Sequence, residues 1–266
     1  MRLESADSVL SLPIPRKPTV IHFAIPVHDE ERTVGVILWK IRKVMTEFGR
    51  DFRVVVLDDA STDGTPDVLA RYAPYLPLEV IRSERRLGTN EALDRLFRRI
   101  VEDTSYPKRD IVVTLQADLT DDPTDVVDLV KTVEGGADIV VGRPQDPSTP
   151  LPLGERIAAW LVPALLGPAY RDAPVEDPMS GFRAYRVVVL KKALRERSDG
   201  ALVASSGRAG HLEILGNTAP HARRIEECPV TTRPHLRVRP SRAKPFSGLG
   251  DLLGVRRRLH WEGGTA

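Results

Sequence analysis

The chain has 266 residues, of which 41% are hydrophobic and 29% charged, a globular balance suited to one α/β domain of ordinary size. A formal net charge of +2 excludes a chain-wide polyanion binder, so nucleic acid is not an expected partner. The one cysteine, Cys228, excludes an intrachain disulfide and favours a reducing, cytoplasmic setting.

In chain order, residues 1–18 are expected to form a disordered lead-in. Pro13, Pro15 and Pro18 resist helix there, and acids with no long apolar stretch argue against a signal peptide. Val20–Ile25 reads as a buried strand, followed by a helix over Glu30–Phe48 with apolar residues at Val34, Ile37, Ile41, Val44 and Phe48. Arg53–Leu57 is a second strand, and it ends in the turn Asp58-Asp59-Ala60-Ser61-Thr62-Asp63-Gly64 before a short helix to Tyr72. Leu78–Ile81, Asp110–Leu115 and Asp138–Val141 continue the strands, with helices over Asn90–Val101 and Pro123–Val133 between them. Alternation of this kind implies a single Rossmann-like domain over residues 19–232, a mainly parallel sheet with helices on both faces.

The second half is less regular. Gly154–Leu166 reads as a short, largely apolar helix carrying Trp160, and Ile157–Leu166 is the longest apolar run. It contains Pro163 and falls well short of the roughly 20 residues of a spanning helix. That run is balanced between core and membrane-facing roles. Asp177–Tyr185 is a loop leading into a strand, Val187–Leu194 and Gly210–Leu215 are helical, and Arg224–Thr231 is extended. Residues 233–266 form a basic arm, with eight Lys/Arg against Asp251 between Arg233 and Arg258. Such an arm suits phosphates or an anionic membrane surface, and equally a solvated charge run. No sequence feature assigns an oligomeric state.

Ligands of open parallel sheets bind outside the carboxyl ends of the strands. His28 and Glu30, Asp58 and Asp59, Gln116 and Asp118, and Arg143 all fall just after strand ends. Asp118 can hold a divalent cation that bridges a diphosphate, and the same residue fits a turn before Pro123. Asp59 can hydrogen-bond a base or ribose, and the same turn fits ordinary loop chemistry. The first strand is followed by Pro26-Val27-His28-Asp29-Glu30 with no glycine, and no Walker loop occurs. These absences count against a dinucleotide-binding dehydrogenase and a P-loop protein. His211, His221 and His235 show no metal-ligand spacing.

Four segments together resemble the family 2 glycosyltransferases of GT-A fold: 26–31, 56–65, Gln116-Ala117-Asp118-Leu119 and Asp177-Pro178-Met179-Ser180-Gly181-Phe182-Arg183-Ala184-Tyr185. The last is similar to the dolichyl-phosphate mannosyltransferase, or polyprenyl-phosphate, branch. The resemblance implies transfer of a sugar from a GDP- or UDP-linked donor to a polyprenyl or dolichyl phosphate, with inversion. By that resemblance Pro26, His28, Glu30, Leu57 and Asp59 line the nucleotide pocket. Gln116, Ala117 and Asp118 form the diphosphate triplet, with Asp118 and Gln116 holding Mg²⁺ or Mn²⁺. Arg143 completes the donor side, and Arg237 and Arg242 belong to a closing loop over the diphosphate. Ser180 and Arg183 face the acceptor phosphate. Asp177, or Glu176, is the base should the acceptor be a hydroxyl, as on a glycan or secondary metabolite. The enzyme would meet a membrane only from its surface.

Departures from the family pattern are specific. Gln116 stands where the triplet normally opens with aspartate, which implies weaker metal binding and admits a sugar-nucleotide-binding protein with weakened catalysis. Ala60 replaces a usual glycine and Asp29 a usual asparagine.

Overall fold

The computed structural model describes residues 19–145, 163–197 and 200–233, together with 236, 251, 254–256, 259 and 261. The strands are β1 (Val20–Val27), β2 (Asp51–Asp58), β3 (Leu78–Arg82), β4 (Ile111–Thr114), β5 (Ile139–Pro144), β6 (Arg183–Arg186) and β7 (Ile225–Val230). The helices are α1 (Val34–Phe48), α2 (Thr65–Tyr72), α3 (Thr89–Asp103), α4 (Val126–Glu134), α5 (Pro168–Arg171), α6 (Val187–Glu196) and α7 (Gly207–Thr218).

All seven strands form one sheet in the order β3-β2-β1-β4-β6-β5-β7. β1, β2, β3 and β4 run parallel, as do β5 and β7, while β6 is antiparallel to both its neighbours. Because a parallel strand buried on both faces has no solvent side, β1 reads as an apolar run broken only by His22 rather than as an alternation. Its alternate residues nonetheless serve different layers. Ile21, Phe23, Ile25 and Val27 pack with Val34, Ile37, Leu38 and Ile41 of α1 and with Val126, Leu129, Val130 and Val133 of α4. Ala24 points the other way, with Val55 and Leu57 of β2, onto Leu93, Leu96, Phe97 and Ile100 of α3 and onto α6 and α7.

α1 follows from its pattern. Its buried residues recur at helical spacing, and Gly49 ends it in a left-handed conformation (φ 65°), donating its N–H to the carbonyl of Met45. The helix expected from Glu30 begins at Val34, because Glu30 belongs to the loop: its carbonyl accepts the N–H of Thr33 and Val34. The helix expected from Pro123 begins as a short 3-10 turn, with Asp122 capping the N–H of Thr124. Most of 154–166 lies outside the described residues; 163–166 are helical.

Insertion of β6 matters most for the site. Thr114 pairs with Arg183, so the antiparallel strand starts where β4 ends. The 177–182 loop is thereby carried to the same rim as the exits of β1, β2 and β4.

The described residues of the 233–266 span include an anchored portion. Val255 is fully buried with Leu166, Met179, Ala209 and Leu212. Arg256 donates to the carbonyl of Leu165 at 3.1 Å, and Asp251 accepts the N–H and hydroxyl hydrogen of Ser206 at 3.0 and 2.6 Å.

Candidate active site

Hydrogen bonds tie the first two strand exits together. Asp29 donates its N–H to the Ser61 hydroxyl at 2.8 Å and accepts the N–H of Thr62 at 2.6 Å. Glu30 donates its N–H to the Thr65 hydroxyl at 2.7 Å, and its carboxylate accepts the Thr33 hydroxyl hydrogen at 2.6 Å. His28 Nδ1 lies 2.7 Å from the carbonyl of Asp59; a carbonyl only accepts, so Nδ1 carries a proton. Its Nε2 lies 3.2 Å from the Asp29 carboxylate. Among the described residues three non-glycine ones adopt left-handed conformations: Asp29 (φ 47°), Ala60 (φ 53°) and Leu119 (φ 67°). They follow β1, β2 and β4, and strain of this kind concentrates at functional turns.

Asp59 is 3% exposed. Its carboxylate accepts the N–H of Leu87 at 2.6 Å and of Gly88 at 2.9 Å, and Arg86 stands 3.6 Å away. The residue expected at the base or ribose is therefore also the anchor of the loop from β3 to α3. Leu57 and Ala117 are both buried, one in each of the two core clusters. Pro26 is half-buried at the end of β1.

Beyond β4, Gln116 and Asp118 stand half-buried on one turn. Gln116 donates its N–H to Asp121 at 2.9 Å, and Asp118 accepts the N–H of Thr120 at 3.0 Å. Among the described residues no three His, Cys, Asp or Glu side chains group as a metal site. One carboxylate beside one amide still fits a divalent cation, since such ions are commonly held by one or two carboxylates with substrate phosphates supplying the other oxygens.

On the opposite side of the rim, Arg183 requires the largest correction. It is 1% exposed. It donates to Pro178 O at 2.7 Å, His211 O at 2.8 Å and Tyr185 Oη at 3.1 Å. A guanidinium spent on three internal acceptors is a brace between β6, α7 and the 177–182 loop, and the expected grip on an acceptor phosphate is withdrawn. The cause lies in the strand: Arg183 is the first residue of β6, with its side chain on the α7 face, rather than a loop residue. Gly181 sits against the His211 ring, and a Cβ on it would lie 3.0 Å from Cε1. Burial, then the charges of Arg183 and Arg208, pushes the His211 pKa down to about 3, so the ring is neutral.

Asp177 and Glu176 donate their N–H groups to Glu227 of β7, at 3.2 and 2.8 Å. Asp177 caps the N–H of Met179 at 3.2 Å. Arg143 pairs with Glu176 at 2.7 Å on the surface. Ser180 is half-buried in the same loop, and its N–H donates to the carbonyl of Asp177 at 3.3 Å. Arg237 and Arg242 lie outside the described residues.

Two residues and one role had no local signal in the sequence. Glu227, and Asp59 in its role as anchor of the loop into α3, act on backbone groups far away in the chain. Arg233, whose guanidinium lies 2.7 Å from the buried Asp122, was legible only as part of a charge run.

A doubly covered, mainly parallel sheet with polar groups gathered on the exits of β1, β2 and β4 defines an open α/β domain with a ligand-binding rim. The family model for glycosyl transferase family 2 matches residues 23–194, and the chain belongs to that family. Among curated proteins it is 27% identical over 212 residues to an undecaprenyl-phosphate 4-deoxy-4-formamido-L-arabinose transferase of Edwardsiella ictaluri, covering 79% of this chain and 59% of that protein. It is 25% identical over 179 residues to a dolichol-phosphate mannosyltransferase of Pyrococcus furiosus, covering 63% of this chain and 46% of that protein. The chain thus spans about half the length of these relatives. Glucosyl-3-phosphoglycerate synthase of Mycobacterium tuberculosis, solved with Mn²⁺, UDP-glucose and phosphoglyceric acid, superposes with a TM-score of 0.62 at 22% identity. That match covers 90% of this chain and 80% of the other, and shows a shared fold.

Proposed function

We propose that this protein transfers a sugar from a GDP- or UDP-linked donor to a polyprenyl phosphate, with inversion at the anomeric carbon. The carrying observation is the convergence of the exits of β1, β2 and β4 on one rim, tied together from His28 to Ser61 and presenting Asp118. Family membership and the polyprenyl-phosphate transferases among its relatives support the acceptor class.

In this reading the 28–30 and 58–61 turns receive the nucleoside. His28, Glu30 and the Asp59 loop shape that pocket. Asp118, with Gln116 second, would hold Mg²⁺ or Mn²⁺. When bound, such an ion neutralises charge on the leaving nucleoside diphosphate. Arg143, Arg237 and Arg242 would add positive charge on the same side. The acceptor approaches from the 177–182 loop, where Ser180 lies. A lipid phosphate is already anionic and needs no base; single displacement then inverts the sugar. No helix among the described residues is long and apolar enough to cross a membrane, so on this reading the described domain meets the lipid at the bilayer surface.

Withdrawal of Arg183 from the acceptor side favours one rival. If the acceptor were a hydroxyl, Asp177 would take its proton. Turnover measured with GDP-mannose and a UDP-sugar panel, with and without Mn²⁺, against undecaprenyl phosphate and soluble glycans decides between them. Lipid-dependent transfer supports the proposal; transfer to a soluble hydroxyl with none to lipid phosphate overturns it.

A further inference from the structure

Four aspartates follow β4: Asp118, Asp121, Asp122 and Asp125. The fold assigns them to two tasks. Asp121 and Asp122 are buried, at 6% and 2% exposed, and Asp125 is half-buried. Each accepts a backbone N–H: Asp121 from Gln116 at 2.9 Å, Asp122 from Thr124 at 3.2 Å and Asp125 from Thr231 at 2.6 Å. Asp118 also accepts an N–H, that of Thr120, but unlike the buried Asp121 and Asp122 it stands half-buried past the end of β4.

The chain leaving β7 lies across that same turn. Thr232 pairs with Asp121 in an isolated antiparallel bridge. Arg233 donates its N–H to the carbonyl of Thr120 at 2.8 Å. Its guanidinium stands 2.7 Å from one Asp122 oxygen, and Lys40 stands 3.6 Å from the other. Between Asp118 and Thr120 sits Leu119, left-handed at φ 67°. A branched L-residue persists there only when its surroundings over-determine it. Thr120 supplies that restraint, because its N–H is taken by Asp118 and its carbonyl by Arg233. Asp122 is 2% exposed, and a carboxylate so buried is held in place by cationic partners of this kind.

We propose that Arg233 is a positioning residue: by neutralising buried Asp122 it locks the 116–122 turn in the conformation that presents Asp118 to the donor diphosphate. The inference rests on the reading of Asp118 given above. It makes the exit of β7 and the acidic turn one mechanical unit, so that Arg233 governs metal and donor affinity without touching either ligand.

Removing the side chain leaves the Arg233 N–H in place, so Arg233→Ala tests the ion pair alone. Mn²⁺ half-activation, donor KM and kcat would be measured for wild type, Arg233→Ala, Arg233→Lys, Asp122→Asn and the double variant Arg233→Ala/Asp122→Asn. Calorimetric binding of GDP-mannose and UDP-glucose with Mn²⁺, and thermal unfolding, accompany them. Arg224→Ala is the control, since Arg224 pairs with Glu226 at the far end of β7. Arg233→Ala should raise the Mn²⁺ half-activation concentration about tenfold, the usual effect of losing a group that orients a metal ligand. Its kcat at saturating Mn²⁺ should stay within about twofold of wild type, because the chemistry is untouched. Arg233→Lys should recover most of the loss, and the double variant should be no worse than the poorer single. Metal and donor constants that do not move in Arg233→Ala, or that move equally in Arg224→Ala, overturn the positioning role. Wild-type protein that binds neither nucleotide sugar overturns the functional reading itself, and this inference with it.

Discussion

The hydroxyl of Thr114, the last residue of β4, donates to the carbonyl of Gly181 at 2.7 Å. This one bond joins the strand that delivers Gln116 and Asp118 to the loop that delivers Asp177 and Ser180. The two sides of the rim therefore share a side-chain-to-backbone junction, and the missing side chain of Gly181 leaves room for the His211 ring.

Asp118→Asn should reduce turnover at least about 100-fold, since an amide binds a hard cation poorly. Its thermal midpoint should stay near wild type, as Asp118 is half-buried at the rim rather than in the core. Gln116→Asp should lower the Mn²⁺ concentration for half-activation. Full turnover in Asp118→Asn would remove it from the metal role.

Asp59→Ala should weaken nucleotide-sugar binding by about 1–3 kcal/mol in calorimetry, and lower stability by a similar amount in urea unfolding. Both effects come from one cause: the N–H groups of Leu87 and Gly88 lose their acceptor, and the loop into α3 loosens. Lost binding with unchanged stability would instead mark Asp59 as a contact to the base.

Arg183→Ala should destabilise the fold by about 3 kcal/mol or more, because three buried acceptors lose a charged donor together. Urea unfolding reads this directly. A variant of wild-type stability with a raised acceptor KM would restore Arg183 to the acceptor site.

Burial, helped by Arg53, pushes the His22 pKa down from 6.5 to about 4. Between those values the unfolded chain binds a proton that the folded chain does not. Stability therefore falls as pH drops through this window, by at most about 1.4 kcal/mol per pH unit from this residue. His22→Gln should flatten the loss between pH 7 and 5 in urea midpoints. An unchanged slope would show that His22 is not the source.

Ala60→Gly should raise stability by up to about 1 kcal/mol, because Ala60 holds φ 53° and glycine does so without a Cβ penalty. Thermal unfolding checks it, and activity should be retained.

Much of this architecture was legible in the chain. Apolar runs of strand length alternating with 3.6-period helices located β1 to β5, α1, α3 and α4, since those signals are local. The placement of His28, Asp59 and Asp118 just after strand ends followed from the same reading, whereas Arg143, expected past the fifth strand, lies within β5 and pairs with Pro229. Residue chemistry could not say which polar groups would remain at the rim. Arg183 and Asp59 were consumed by acceptors and donors brought together from distant parts of the chain, 28 residues apart for Asp59 and Leu87 and for Arg183 and His211. Nor did any local signal show that β6 would enter antiparallel between β4 and β5. The sequence by itself thus determined the elements, their order and the rim, because periodicity and turn chemistry act over a few residues. Only the tertiary structure decided which charges on that rim are sealed as braces and which are presented, because burial and hydrogen-bond partners are set by contacts between segments that no local pattern encodes.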